Sequence, residues 1–416
     1  MEFMVSFFKY LILFSKKYVV FYPILFCLLF IFVFFANVPC FAHTREGETG
    51  ETGLEGFLES LRGKEGFSLS DYYSDSYLLD SYVETIISLT PDQDLVSQLI
   101  ITSSGGYGRK PDFALKLIEE KKVGGTIFFE NSITEIKELA NKYMQAAIDS
   151  NSILLPLFSI DGEPTLITKR FYKKVVLPYS EYIESPDECR YIARDISLLL
   201  KNWGVHVNYA PVCDLSQNRA IIGNRSFGDS VEKVSRYASI FIRTTQSYGI
   251  IATAKHFPGH GSMEGDTHRK LVISKGLPPE LTIFQTAIDS GVIFVMVGHI
   301  AIEGDEYFDT NGKPSTLSRK IVTGLLRDRM GFKGIIITDA MTMRAAKIFD
   351  DPELKAIDAG VDMILMPNDE LSLLDALMKR VKNDVDFRFR IMDSVRRIVR
   401  LKACLGLINE KALLNY

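Results

Sequence analysis

The stretch Lys255-His256-Phe257-Pro258-Gly259-His260-Gly261, followed after four residues by Asp266-Thr267-His268, gathers the groups of this chain best suited to chemistry. The chain has six histidines, and three of them fall here. A histidine titrates near neutrality, so it can donate a proton in one step and accept one in the next. Asp266, two residues before His268, can accept a hydrogen bond from the imidazole and fix its tautomer. Three histidines also raise the prospect of a metal. Against it, Pro258 breaks the helical i, i+4 spacing that pairs ligands, and no cluster of Asp or Cys supplies further ones. We expect no metal and no cofactor. His260 reads as a hydrogen-bonding loop holder, and Glu264 as a solvated rival acid.

These residues need a scaffold. Pro258, Gly259 and Gly261 make the stretch an irregular loop. Just upstream, Gly249–Ala254 reads as a short buried β-branched strand, which puts Lys255 and His256 at its C-terminal end. Seven similar runs occur. The eight expected strands are Leu99–Thr102, Gly125–Phe129, Ile153–Ile160, Val205–Ala210, Ile250–Ala254, Val292–Val297, Ile335–Thr338 and Val361–Met366. Helical stretches such as Ser185–Lys201 and Ser318–Met330 lie between most of them. Apolar strands alternating with helices imply a parallel sheet covered on both faces. Eight such units predict an α/β fold with a single (β/α)₈ barrel over residues 90–408, followed by a tail at 409–416. An open doubly wound sheet is the alternative, but no GxGxxG follows the first strand. Catalytic groups of barrels come from the C-terminal ends of strands. Here those ends carry Asp161, Asn208 with Asp214 beyond it, Lys255-His256, His299 and Asp339. Asp339 has a plainer reading as a cap for the helix after its strand.

The N-terminus differs in kind. Residues 18–36 (YVVFYPILFCLLFIFVFFA) carry no charge and are nearly all apolar, a length close to the roughly 20 residues that cross a bilayer as a helix. Lys9, Lys16 and Lys17 precede the run, while Arg45, Glu46 and Glu48 follow it. That asymmetry predicts residues 1–17 in the cytoplasm, 18–42 as a membrane anchor or signal segment, and the remainder exported, either anchored facing outward or released. Cleavage after Ala42 and lipidation at Cys40 are both open. Residues 45–75, rich in Gly, Glu and Ser, read as a flexible tether, and 43–89 as tether plus lead-in. Net charge is −4 with no basic block, so nucleic acid is not an expected partner. Five scattered cysteines without a CxxC suggest neither a disulfide framework nor a zinc site.

Several motifs together carry a family resemblance. They are KHFPGHG-x4-D-x-H at Lys255–His268, Val123-Gly124-Gly125, Ile160-Asp161-x-Glu163 and Gly223-Asn224-Arg225-Ser226-Phe227-Gly228. Pro314-Ser315-Thr316-Leu317-Ser318 and Gly331-Phe332-x-Gly334-x-x-x-Thr338-Asp339-Ala340-Met341 complete the set. From about residue 91 to 405 the chain resembles the family 3 glycoside hydrolases, in the β-N-acetylhexosaminidase branch with the NagZ-type peptidoglycan-recycling enzymes. The resemblance implies Asp339 as nucleophile, Asp266 and His268 as an acid/base dyad, and Asp161, Arg225, Lys255 and His256 as residues that hold a terminal N-acetylglucosamine. It departs at Pro164 and Thr165, where the family usually has two glycines, and at Lys169, where an arginine is usual unless Arg170 takes its place.

The implied activity is that of a retaining exo-β-N-acetylglucosaminidase acting on peptidoglycan fragments or chitin oligosaccharides. Such an enzyme needs a carboxylate to attack the anomeric carbon and a second group to protonate the leaving oxygen. Asp339 on a strand end suits the first, and His268 on a loop the second. Two alternatives keep the same site. One is a phosphorylase, because a histidine repels phosphate less than a carboxylate does. The other is a barrel that binds glycan without cleaving it.

Overall fold

The computed structural model describes residues 53–414, apart from residues 64, 130, 131, 172–174, 264 and 268. The expected anchor or signal at residues 18–42 therefore lies outside the described residues. Among the described residues no helix is long and apolar enough to cross a membrane.

Eight parallel strands form the barrel, and two more form a small sheet beside it. In chain order they are β1 (Ile100–Gly105), β2 (Gly125–Phe129), β3 (Leu157–Ile160), β4 (Val207–Asn208), β5 (Ile251–Phe257), β6 (Val272–Lys275), β7 (Phe294–Val297), β8 (Ile300–Glu303), β9 (Ile335–Thr338) and β10 (Ile364–Leu365). The barrel order is β10-β1-β2-β3-β4-β5-β7-β9. A parallel bridge between Ile337 and Met363 links β9 back to β10 and closes the ring. Barrel-strand residues are buried almost throughout. That is why most of the strands read as apolar runs without alternation, although β1 also buries Thr102, Ser103 and Ser104. β2 and β9 have the expected bounds. β4 and β10 shrink to two residues each.

β5 extends further than expected, so Lys255 and His256 lie within the strand and not past its end. Neighbours keep it paired there: the Lys255 carbonyl accepts from Cys213 N at 2.6 Å, and the Phe257 carbonyl from Gly298 N at 2.8 Å. The pair β6–β8 was not anticipated. In β6, Val272 and Ser274 point inward while Ile273 and Lys275 face solvent, so apolarity and burial do not alternate together.

From residue 54 on, the stretch expected as a flexible tether over residues 45–75 is folded. Leu54–Arg62 is a helix whose Leu58 and Leu61 are buried, and Tyr77–Leu89 is a second helix burying Leu79, Tyr82, Val83, Ile86 and Ile87. Apolar residues three and four apart inside an otherwise polar stretch are enough to dock such a helix. The tail is docked too. Ala412 and Leu413 are buried, and the Glu410 carboxylate accepts from Arg62 Nε at 2.8 Å and from Tyr82 Oη at 2.7 Å. Lead-in and tail thus hold each other.

The closing seam is reinforced by Asp362, which is fully buried just before β10. Its carboxylate accepts from Ile336 N of β9 at 2.8 Å, from Ser394 Oγ at 2.5 Å and from Arg397 at 3.1 Å, and it pairs with Arg327. Burial pushes this carboxyl upward, but Arg327, Arg397 and Arg390 outweigh that and hold it below its ordinary value. Removing one partner of a buried charge network leaves the others uncompensated. Asp362→Ala is therefore expected to lower unfolding stability by about 3–5 kcal/mol in denaturant titration. Arg380→Ala, which removes exposed pairs to Asp358 and Asp384, should cost less than about 1 kcal/mol. Equal losses in the two variants would refute the seam's importance.

Candidate active site

At the C-terminal end of the barrel lies a cavity of about 440 Å³. Asp161, Arg225, Lys255, His256 and Asp339 all line it. Five of the seven expected site residues therefore meet in one place. Each comes from a different part of the ring: Asp161 follows β3, Arg225 sits in the long β4–β5 connection, Lys255 and His256 end β5, and Asp339 follows β9.

Their positions are set by charge. Lys255 Nζ lies 2.8 Å from Asp161 Oδ1 and 2.6 Å from Glu163 Oε1. The Arg225 guanidinium forks onto the same Glu163, with Nη2 at 2.6 Å from Oε1 and Nε at 2.8 Å from Oε2. Glu163 is 1% exposed. Burial would raise its carboxyl, yet Arg225 and Lys255 hold it well below the usual carboxylate range. It is thus a permanent anion that aims two cations into the cavity. Sequence reading noted Glu163 only as a motif member. Two cations converging inside a barrel do call for a second carboxylate beside Asp161.

A second buried carboxylate, Asp214, orders His256. Asp214 Oδ2 lies 2.6 Å from His256 Nδ1 and accepts His256 N at 3.2 Å, while Oδ1 accepts His260 N at 2.7 Å. Burial works against its ionisation, but His256 and His260 keep its carboxyl below the ordinary value. Because the carboxylate only accepts, Nδ1 of His256 carries the proton, and Nε2 is the ring nitrogen left for a ligand. His260 holds the loop as expected, though through its backbone N–H. Its own ring is buried and pushed down to about 4, hence neutral.

Glycines let the loop pack this closely. A Cβ on Gly259, whose φ is +137°, would meet Glu280 Cβ at 2.6 Å, and one on Gly261 would meet the Leu215 carbonyl oxygen at 1.8 Å. Glu280 then ties the loop down, accepting from Ser262 N at 2.8 Å and Ser262 Oγ at 2.9 Å. Nothing in the sequence around Pro278-Pro279-Glu280 pointed to it. Further along, the Thr267 carbonyl accepts from Ala345 N at 3.3 Å. Asp266 lies on this loop and pairs with Arg269 at 3.4 Å, and it is not among the described residues lining the cavity. His268 lies outside the described residues.

Asp339 extends the ladder of β9, its N–H donating to the Val297 carbonyl at 2.9 Å. Its Oδ1 accepts from Ala340 N at 2.8 Å. Burial raises the carboxyl, but His256, His299, this hydrogen bond and Lys255 prevail and hold it below its ordinary value. The group is a carboxylate at neutral pH, as a nucleophile must be. His299 stiffens the same turn: Nε2 lies 3.1 Å from the Ala340 carbonyl oxygen and Nδ1 2.9 Å from Thr316 Oγ1.

The departures at Pro164 and Thr165 have a local structural role. Pro164 opens the helix Pro164–Arg170, where a missing N–H costs nothing. Thr165 Oγ1 donates to the Asn224 carbonyl at 2.7 Å and accepts from Ser180 N at 3.0 Å, bracing the turn that presents Arg225. Lys169 packs over Tyr179, and Arg170 over the cavity-lining Phe129. Asn208 grips Gly162 through both backbone groups and is a loop former.

A parallel barrel with an ionised carboxylate, two cations and a histidine gathered at the C-terminal ends of its strands has the form of a barrel enzyme's active site. Residues 93–401 match the glycosyl hydrolase family 3 N-terminal domain, and the chain belongs to that glycoside hydrolase family. Among its relatives are a β-hexosaminidase from Idiomarina loihiensis, 27% identical over 74% of this chain and 92% of the relative, and one from Vibrio cholerae serotype O1, 27% identical over 63% of this chain and 80% of the relative. A solved family 3 β-N-acetylglucosaminidase from Paenibacillus sp. FPU-7 is similar with TM-score 0.67 and 30% identity, covering 76% of this chain. This chain spans 63% of that structure's length.

The two Asp214 oxygens each receive a backbone N–H, so an amide in its place must turn its NH₂ toward one of them in either orientation. Asp214→Asn should therefore misplace His256 and lower kcat/KM by about 10²-fold with the circular-dichroism spectrum unchanged. A variant within twofold of wild type would refute this positioning role.

Proposed function

We propose that the chain is a retaining exo-β-N-acetylglucosaminidase, releasing terminal N-acetylglucosamine from peptidoglycan fragments or chitin oligosaccharides. The observation that carries this reading is the ionised Asp339 carboxylate sharing one cavity with Asp161, Arg225, Lys255 and His256. The names of the relatives, β-hexosaminidase and β-N-acetylglucosaminidase, support the choice of sugar.

In this mechanism Asp161, Arg225, Lys255 and His256 hydrogen-bond the sugar's hydroxyl and acetamido groups and fix the ring over Asp339. Asp339 attacks the anomeric carbon, and the glycosidic bond breaks as the leaving oxygen takes a proton from His268. The product is a glycosyl ester of Asp339. Water then attacks the same carbon from the opposite side, giving its proton to His268 and freeing Asp339. Asp266 orients the imidazole, as the motif Asp266-x-His268 suggests. His256, His299, the Ala340 N–H and Lys255 keep Asp339 ionised, while Lys255 and Arg225 anchor the sugar through both steps.

Asp339→Asn should abolish nearly all turnover while the fold is retained. A 2-fluoro or comparable slow substrate should label the wild-type peptide containing Thr338-Asp339-Ala340, and a label on Glu303 or Asp305 would overturn the assignment. His268→Ala is expected to lose about 10²–10⁴-fold on a disaccharide, whose leaving group needs a proton. It should lose much less in the glycosylation step with a nitrophenyl sugar, and azide should rescue its second step. Equal losses on both leaving groups without rescue would remove His268 from the proton-transfer role.

A further inference from the structure

Charge is confined to one side of the cavity wall, where Met296 and Met343 lie beside it. All its charged residues, together with His256, follow or end β3, β5 and β9 or lie in the β4–β5 connection. The sector formed by β10, β1 and β2 contributes Ile127, Phe129, Leu365, Met366 and Tyr107. Tyr107 stands out because it is 82% exposed, whereas Ile127 on the same wall is 2% exposed. The apolar wall therefore runs from the cavity floor to its open rim, and Tyr107 forms the rim.

Tyr107 is held at the rim by a stiff turn. Gly108 N donates to the Gly105 carbonyl at 2.9 Å, and Gly105 N to the Arg109 carbonyl at 3.0 Å, so the ring sits at the apex of a closed loop. A Cβ on Gly108 would meet Ser103 Oγ at 2.5 Å, so the turn lies flat on β1. Arg109 clamps its base: Nη2 reaches Glu370 Oε2 at 2.8 Å and the Asn368 carbonyl at 2.8 Å, and Glu370 is 2% exposed. The Tyr107 ring meets Phe129 edge to face, with centroids 6.2 Å apart, and Arg170 packs over Phe129 at 5.8 Å. An aromatic ring presented to water on a rigid support is pre-organised for a flat apolar surface, and little entropy is lost when one binds.

A pyranose has such a surface in the C–H groups of its ring face. We propose that Tyr107, backed by Phe129, is the binding platform for the sugar on the leaving-group side of the scissile bond. This rests on the exo-acting reading above. Lys255 and His256, 1% and 9% exposed, lie deep in the cavity and draw the terminal sugar inward, so the next sugar lies at the mouth, where Tyr107 is. Tyr107 is then a specificity residue: it favours oligosaccharides over short alkyl glycosides and takes no part in bond cleavage.

The test is steady-state kinetics of the full chain and its Tyr107→Ala and Tyr107→Phe variants on chitobiose, with free N-acetylglucosamine as competitive inhibitor of the floor site. Tyr107→Ala should raise KM for chitobiose by roughly 5- to 10-fold. The inhibition constant of N-acetylglucosamine should stay within twofold, and Tyr107→Phe should behave as wild type. A parallel rise in both constants would place Tyr107 against the terminal sugar and overturn the proposal, as would no change in either. Wild type that neither cleaves chitobiose nor binds N-acetylglucosamine would refute the activity and the subsite with it. An active wild type with an unaffected Tyr107→Ala would refute the subsite alone.

Discussion

Two cations, Lys255 and Arg225, sit close together in a place nearly closed to water, and Glu163 between them makes that arrangement possible. Unpaired, each buried charge would cost several kcal/mol, and their mutual repulsion would add to it. With Glu163 bridging them and Asp161 capping Lys255, the cluster is neutral overall and rigid. Its outward side still presents donors and an acceptor to whatever enters. Lys255 also contributes, after His256, His299 and the Ala340 N–H, to keeping the buried Asp339 ionised. Removing Glu163 would release the geometry of β3, the Arg225 turn and β5 together, because one carboxylate joins all three.

Much of this was legible in the sequence. A barrel strand is apolar on both faces, so β2 and β9 stood out with their true limits. Asp161, Arg225, Lys255, His256 and Asp339 were legible because motifs placed them at strand ends or in turns, where a barrel focuses its chemistry. Asp214 and Glu163 were visible as residues but not as partners. Their role depends on which donors reach them across the ring, and that is a tertiary property. Glu280 had no local signal, since its contacts come from a loop about twenty residues upstream. The lead-in helix Leu54–Arg62 was hidden by composition: its Gly- and Glu-rich surroundings outweighed a stripe of three leucines. The extent of β5 was missed for another reason. Pro258 ends the strand, yet hydrogen bonds from Cys213 and Gly298 keep it extended right up to that proline.

Stability and chemistry occupy opposite ends of the barrel. At the N-terminal end Asp362 gathers arginines from two helices and fastens the seam where the sheet is linked by a single bridge. At the C-terminal end the charged groups are arranged around open space. Both clusters use buried carboxylates with guanidinium partners, but only the upper one leaves its faces uncovered. That difference separates a structural ion network from one available to a ligand.

The bond from Ala345 N to the Thr267 carbonyl joins two segments usually described separately. Thr267 belongs to the loop of the Asp266-x-His268 motif, and Ala345 follows the turn that carries Asp339. A displacement of one segment pulls on the other, so the two behave like the jaws of a hinged tool with a common pin. Evolution of a new specificity through that loop then meets a mechanical limit. The loop can vary in length and sequence between Ser262, pinned by Glu280, and Thr267, pinned by the segment after Asp339, while both fixed points must stay in register with β9.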